Sequence, residues 1–261
     1  MNNQTVSTGV SGSVTNTADQ PLAGHRTTLT LLVLAYTLSM CDRMILSILF
    51  PDIQAEFGLS DTQLGLLGGL SFALFYATMG LPIARLSDQH SRKRIIIVSL
   101  VIFSVMTAFS GLAAGFISLL LLRVGVGIGE AGVNPASHSI IADYFPPKRR
   151  AFAMATLMLG GSFGMILGFV GGGIIAEAYN WRIALVSVGI PGLLLAFFMA
   201  RLLREPARGT FETQAPMPSP PILTTAAEMW ANPAMRHLMA GGVIAGLMSY
   251  GLTQWLPTFF M

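Results

Sequence analysis

The stretch RVGVGIGEAGVNP, Arg123 to Pro135, decides how this chain is read. It follows FISLLLL (Phe116–Leu122), which reads as helix in lipid, yet it carries an arginine and a glutamate. Five of the ten residues after Arg123 are glycine or charged. Ionisable side chains in hydrocarbon are costly; they face the inside of a bundle, pair, and usually serve a function. Glycines weaken a helix in water, but in lipid the unsatisfied backbone enforces the helix. The stretch therefore predicts a helix inside a membrane bundle, with one polar stripe turned towards other helices.

Composition agrees. The 261 residues are 53% hydrophobic and 10% charged, with a mean hydropathy of +0.66; a soluble domain carries about 25% charged residues. The single cysteine, Cys41, excludes an internal disulfide framework. Six apolar stretches approach or exceed the roughly 20 helical residues that cross a bilayer: Thr28–Phe50, Thr62–Leu86, Arg94–Ala113, Phe116–Asp143, Ala151–Ala178 and Ile183–Leu203. A seventh runs from Leu238 to Met261. The expected organisation is a disordered cytoplasmic tail over 1–27, a six-helix bundle over 28–204, a cytoplasmic linker over 205–237 and a seventh helix over 238–261. The linker contains the extended, solvated run APMPSPP (Ala215–Pro221) and a short amphipathic helix at Thr224–Trp230.

Basic residues crowd alternate connections: Arg85, Arg92, Lys93 and Arg94 after the second span, Lys148, Arg149 and Arg150 after the fourth, and Arg201, Arg204 and Arg208 after the sixth. The intervening loops are poor in such charges, with Arg182 the exception. Positive charge stays inside, so the N-terminus is expected in the cytoplasm and the chain in the plasma (inner) membrane. The pI near 9.4 then reflects topology rather than a nucleic-acid partner.

The first span holds Asp42 and Arg43, the fourth Arg123 and Glu130. At about 1.5 Å per residue, Asp42 and Arg123 lie at similar depth, and Glu130 lies about 10 Å deeper and about 20° around from Arg123. Arg123 is thus expected to bridge Asp42 and Glu130. The four charges sum to zero, which a purely structural ion cluster also satisfies; the functional reading is a proton-responsive network lining a cavity. Asn134, one turn beyond Glu130, is placed to orient it. Tyr36 shares a face with Arg43, and Phe72, Phe75 and Tyr76 suit an aromatic core or an apolar path. Glycines four apart, Gly125 and Gly129, and Gly160, Gly164, Gly168 and Gly172, let helices approach closely.

Several stretches resemble the major facilitator superfamily. ARLSDQHSRKR (Ala84–Arg94) is similar to its G-x-x-x-D-R-x-G-R-R/K loop, with Ala84, Gln89 and Ser91 departing from the pattern. Arg123 resembles the fourth-span arginine of the family. GFVGGG (Gly168–Gly173) resembles G-P-x-x-G-G with Phe169 in place of proline, and WRIAL (Trp181–Leu185) the usual start of the sixth span. CDRMILSILFPDIQAEFGLSDTQLGLL (Cys41–Leu67) and GIGEAGVNPASHSIIADYFPPKRRA (Gly127–Ala151) are most similar to the Spinster family within it.

That resemblance implies an all-α membrane protein: the six-helix N-terminal bundle of the superfamily fold with the beginning of the second bundle. It implies a proton-coupled secondary transporter, a symporter or antiporter, moving a lysolipid-like or other amphipathic organic anion by alternating access. Asp42, Glu130 and Arg123 form the implied proton-linked set, with Arg43 as partner or headgroup contact. Asp88, Arg92, Lys93, Asp143 and Arg150 form the implied cytoplasmic gate, with Asp88 accepting from Arg92 or neighbouring helix ends. Membrane lipids, the substrate and protons are the expected partners of a full-length monomer. No cofactor, metal cluster, phosphate loop or catalytic triad is expected, hence no enzyme. A carrier of small organic anions or drugs, and a non-transporting membrane partner protein, remain as alternatives.

Overall fold

The computed structural model describes residues 20–212 and 222–260, and all regular structure among them is helical. The helices are α1 (His25–Ile48), α2 (Phe50–Phe57), α3 (Asp61–Gln89), α4 (Arg92–Ser110), α5 (Phe116–Tyr144), α6 (Pro147–Ala178), α7 (Trp181–Leu202), α8 (Ile222–Ala231) and α9 (Pro233–Phe260). Of these, α1 and α3 to α7 are long and apolar enough to cross a membrane. Their starts follow from side chains that satisfy orphan backbone donors. The Ser60 hydroxyl and the Gln63 side chain cap each other's backbone at α3, Ser91 accepts from the Arg94 amide at α4, and Asn180 from the Ile183 amide at α7.

Four local differences from the sequence reading have visible causes. Helix α1 begins at His25, and the few described residues before it are held against the bundle: the Leu22 amide donates to the Tyr144 carbonyl at 3.0 Å, and the His25 ring meets Phe145 edge-on at 5.6 Å. The first loop contains α2, with Pro51 in its first turn and Gly58 closing it at φ +63°. Arg182, the basic residue out of pattern, is neutralised locally: it pairs with Glu56 at 2.5 Å and donates to the carbonyls of Gly111 and Ala113 beyond α4. Finally, α9 starts at Pro233, with the Asn232 side chain accepting from the Ala234 amide at 3.0 Å. The expected amphipathic helix is α8; Ala215–Pro221 and most of the tail lie outside the described residues.

Helix α1 is the centre of the bundle, packed against α6 and α7, while α4 packs on α5 and α7, and α3 on α5. Glycine makes the α1–α6 contact possible. A Cβ at Gly160 would lie 2.8 Å from the Val33 carbonyl oxygen, at Gly168 2.7 Å from that of Cys41, and at Gly172 2.6 Å from Ile45; Gly164 faces the Thr37 carbonyl. Residues 160, 164, 168 and 172 thus lie turn for turn along 33, 37, 41 and 45, with Thr37 Oγ1 donating to the Gly160 carbonyl at 2.9 Å. Gly129 stands in the same relation to the Phe103 backbone across the α4–α5 contact, where Gly125 faces the Met106 side chain. Both α3 and α6 carry one π-helical turn, at Leu66–Leu70 and Leu167–Gly171, each in a glycine-containing stretch.

Two apolar clusters fill the bundle. One is built on Leu31, Leu32, Ile96, Leu100, Val126 and Ile140, the other on Ile45, Leu49, Ile53, Leu64, Leu119 and Leu185. Along α1 and along α5, Asp42 and Arg123 fall between them.

The glycine stripe makes a prediction. Gly168→Ala should lower the stability of the complete protein by about 1–3 kcal/mol, because α1 backbone must move. Gly171→Ala, whose Cβ would meet nothing within 4 Å, should leave the thermal midpoint in detergent unchanged or raised. Equal midpoints for the two variants would remove the stripe's role.

Candidate functional site

The buried charges form two ion pairs. Arg43 Nε lies 2.6 Å from Glu130 Oε2, which also accepts from the Ser39 hydroxyl at 2.9 Å. Arg123 Nη1 lies 3.4 Å from Asp42 Oδ2, and the other Asp42 oxygen accepts from the Thr107 hydroxyl at 2.5 Å. Asp42, Arg123 and Glu130 are all 2% exposed or less, so each charge is held by protein groups rather than bulk water.

The expected bridge from Arg123 to both carboxylates is therefore corrected: Glu130 takes its cation from α1. The direction of helical side chains accounts for this. Each Cα–Cβ bond tilts towards the N-terminus of its own helix. On α5 that tilt carries Arg123 away from Glu130, seven residues C-terminal. On the antiparallel α1 it carries Arg43 towards the end of the bundle where Leu22 meets Tyr144, the direction in which Glu130 lies.

Arg43 also sits over a pair of rings of α3, its guanidinium carbon 4.8 Å from the Phe72 centroid and 4.6 Å from that of Tyr76. The two rings are themselves stacked at 5.5 Å. Flat cation–ring contact suits the weakly hydrated guanidinium. Asn134 does not hold Glu130; its amide donates to the Tyr76 hydroxyl at 3.0 Å, and so steadies the ring under Arg43. Tyr36 lies against α6, where a Cβ at Gly161 would come within 2.7 Å of its ring. Several buried polar atoms around this set have no partner among the described residues: Arg43 Nη2, Arg123 Nε and Nη2, Glu130 Oε1 and Asn134 Oδ1. Unpaired buried groups are costly.

A second network ties the helix ends near the loops Gln89–Ser91 and Phe145–Pro146. Arg92, 1% exposed, pairs with Asp143 and with Glu205 at 2.9 Å, and donates to Ser139 and to the Pro206 carbonyl. Lys93 Nζ donates to the Ala200 carbonyl at 2.8 Å, and Arg150 Nε to that of Phe145 at 3.1 Å. At Asp88 it is the backbone carbonyl that is engaged: Arg208 donates to it and to the carbonyls of Ser87 and His90, while Arg92 turns to Asp143 and Glu205. Of the two partners expected for Asp88, Arg92 is thus corrected to a partner of Asp143 and Glu205, and Glu205 and Arg208, which sequence reasoning left in a linker, hold the ends of α4 and α3. The Glu205 carboxylate accepts from the Arg92 and Lys93 amides and the Ser91 hydroxyl. Partial burial favours its neutral form, but the Lys93 amide, Ser91 and Arg92 outweigh this and hold its carboxyl below the usual range. Among the described residues, no group of three His, Cys, Asp or Glu side chains is placed to hold a metal ion.

The sequence model of the Major Facilitator Superfamily matches residues 32–261. This chain belongs to the major facilitator superfamily. It is a multi-pass membrane protein of that fold, and a solved relative shows the more specific likeness. A bacterial homolog of the human lysosomal transporter Spinster, in an inward-facing and unoccupied conformation, superposes with a TM-score of 0.75 at 37% identity over 92% of this chain and 56% of that one. An MFS-type efflux pump of Mycolicibacterium smegmatis is 32% identical over 234 residues, 88% of this chain and 53% of the pump. A hexuronate transporter of Bacillus subtilis is 32% identical over 181 residues, 69% of this chain and 43% of that protein. The chain spans about half the length of the curated relatives it matches.

Glu205 is the testable member of the outer network. Glu205→Gln should raise deuterium uptake several-fold at the first amides of α4 and leave its middle unchanged. Because the folded-state carboxyl is depressed, its contribution is present above the ordinary 4.5 and lost as pH falls further. The difference between wild type and variant should therefore shrink below about pH 4.5; a difference that persisted in acid would exclude the carboxylate as its source.

Proposed function

We propose that this superfamily member is the first bundle of a secondary active transporter that couples proton movement to export or uptake of an amphipathic organic anion, such as a lysolipid, by alternating access. The observation that supports this best is the Arg43–Glu130 pair, 2.6 Å apart, with Glu130 buried and Arg43 partly buried, and with guanidinium nitrogens beside it that have no partner among the described residues. A proton on Glu130 removes the charge that holds Arg43. The cation is then left over two aromatic rings, available to an anionic headgroup, whose departure restores the pair with Glu130 and expels the proton. Arg123 and Asp42 form a separate neutral pair that stays fixed while the first pair changes, and the anionic headgroup balances the charge of Arg43. Asp88, Arg92, Lys93, Asp143 and Arg150, with Glu205 and Arg208, act as the gate at the helix ends.

Small organic anions are the second reading, supported by the relative named as a hexuronate transporter. The two substrate classes share a negative group for Arg43 and differ in the apolar remainder, for which Phe72 and Tyr76 offer a surface.

In proteoliposomes of the complete protein, an imposed proton gradient should drive accumulation of one of these classes. Glu130→Gln should abolish gradient-driven uptake by at least tenfold and spare substrate exchange, since the amide keeps the shape and cannot titrate. A Gln variant with the wild-type pH dependence would exclude Glu130 as the coupling site.

The proposed orientation places the N-terminus in the cytoplasm of a cell whose inner membrane holds the protein. A cysteine at exposed Thr62 should react with an impermeant reagent added outside, and one at exposed Gln89 only after permeabilisation. The opposite pattern would invert the topology.

A further inference from the structure

A groove of about 350 Å³ runs between α3, α4 and α5, lined by Leu86, His90, Arg94, Val98, Ile102 and Ile128 among others. Its walls are almost wholly aliphatic and its basic residues sit at one end. From Arg94 to Ile102 is eight residues, about 12 Å along the helix, against a hydrocarbon half-thickness of about 15 Å. The groove therefore reaches from headgroup level most of the way to the middle of the bilayer. Leu86 and Val98 stay 47% and 55% exposed, so the bundle itself does not close it.

The charges at its mouth are sorted. Arg92 is used up by Asp143 and Glu205, and Lys93 reaches the Ala200 carbonyl. Glu205 is occupied by the Ser91 hydroxyl and the Arg92 and Lys93 amides. Arg94 is exposed and lines the groove together with exposed His90, and no carboxylate is among the lining residues. Asp88, two residues before His90, is exposed but is not part of the lining.

We infer that this groove holds one acyl chain of an anionic phospholipid from the leaflet nearest the Gln89–Ser91 loop, with the lipid phosphate on Arg94. Charge and shape select the occupant together. A zwitterionic lipid fills the aliphatic slot equally well but brings its own cation to the arginine, and a soluble anion gains nothing from the slot. Basic pockets between membrane helices bind anionic headgroups on this principle. The site lies outside the Arg43–Glu130 interior, so the bound lipid is a fixed companion of the bundle rather than cargo.

The complete protein should be exchanged from detergent into mixed micelles with phosphatidylglycerol or phosphatidylcholine of identical chains, and retained lipid counted by native mass spectrometry. Wild type should retain phosphatidylglycerol about fivefold better, the factor expected for one basic residue near a charged lipid. Arg94→Gln should remove the preference and Arg94→Lys should keep it, while Val98→Trp should reduce retention of both lipids by filling the slot. A photo-crosslinking residue at position 98 should capture lipid. Equal retention by wild type, or a preference unchanged in Arg94→Gln, would overturn the inference. So would crosslinking of position 98 to another helix of the same protein, because the groove would then be closed by polypeptide. None of these readouts depends on transport, so the outcome is separate from that of the proton-coupling experiment.

Discussion

The requirement that charge inside the bundle be neutralised by protein groups constrains everything around it. Arg43, Asp42, Arg123 and Glu130 come from two helices, and each cation finds its carboxylate on the other helix, not on its own. A guanidinium and a carboxylate within 3.4 Å or less demand that α1 and α5 hold a set axial register. Thr107 of α4 and Phe72 and Tyr76 of α3 complete the shell, so four helices converge on one polar centre. Breaking one pair leaves an uncompensated buried charge, which costs far more than the intact pair contributes.

The glycine stripe of α6 belongs to the same arrangement. It lies against residues 33 to 45 of α1, the segment that carries Ser39, Asp42 and Arg43. Side chains on both faces of that contact would push α1 outwards and lengthen both ion pairs. Close helix approach and buried charge are thus two sides of one design: the backbone contact sets where the charges stand, and van der Waals packing replaces the hydrophobic drive that lipid does not supply.

The network at the helix ends is of another kind. Around the buried Arg92–Asp143 pair, Glu205 is part exposed and Arg208 donates to backbone carbonyls, so these two are held by hydrogen-bond geometry more than by low dielectric. Helix α5 joins the two, carrying Arg123 and Glu130 inside and Asp143 at its end. Thirteen residues separate Glu130 from Asp143, about 20 Å at helical rise, with a turn at Ala131–Gly132 between them.

Composition and periodicity alone determined that the chain is a membrane helical bundle, and they located its six spans to within a few residues. The physical reason is that hydrocarbon imposes a length and an apolarity on each span independently of its neighbours. The same logic picked out Asp42, Arg43, Arg123 and Glu130, since a charge in such a span is conspicuous by itself. Which charge meets which was left to the tertiary structure. Depth counting placed Arg123 beside Asp42 but did not include the tilt of side chains towards their own N-termini, which hands Glu130 to Arg43. Ser39 and Thr107, ordinary hydroxyls in sequence, become ligands of the carboxylates only once three helices are packed. Glu205 and Arg208 carry no signal in a polar stretch; folding back of the chain beyond α7 brings them to the ends of α3 and α4, because long-range contacts depend on where helices end in space rather than on local pattern.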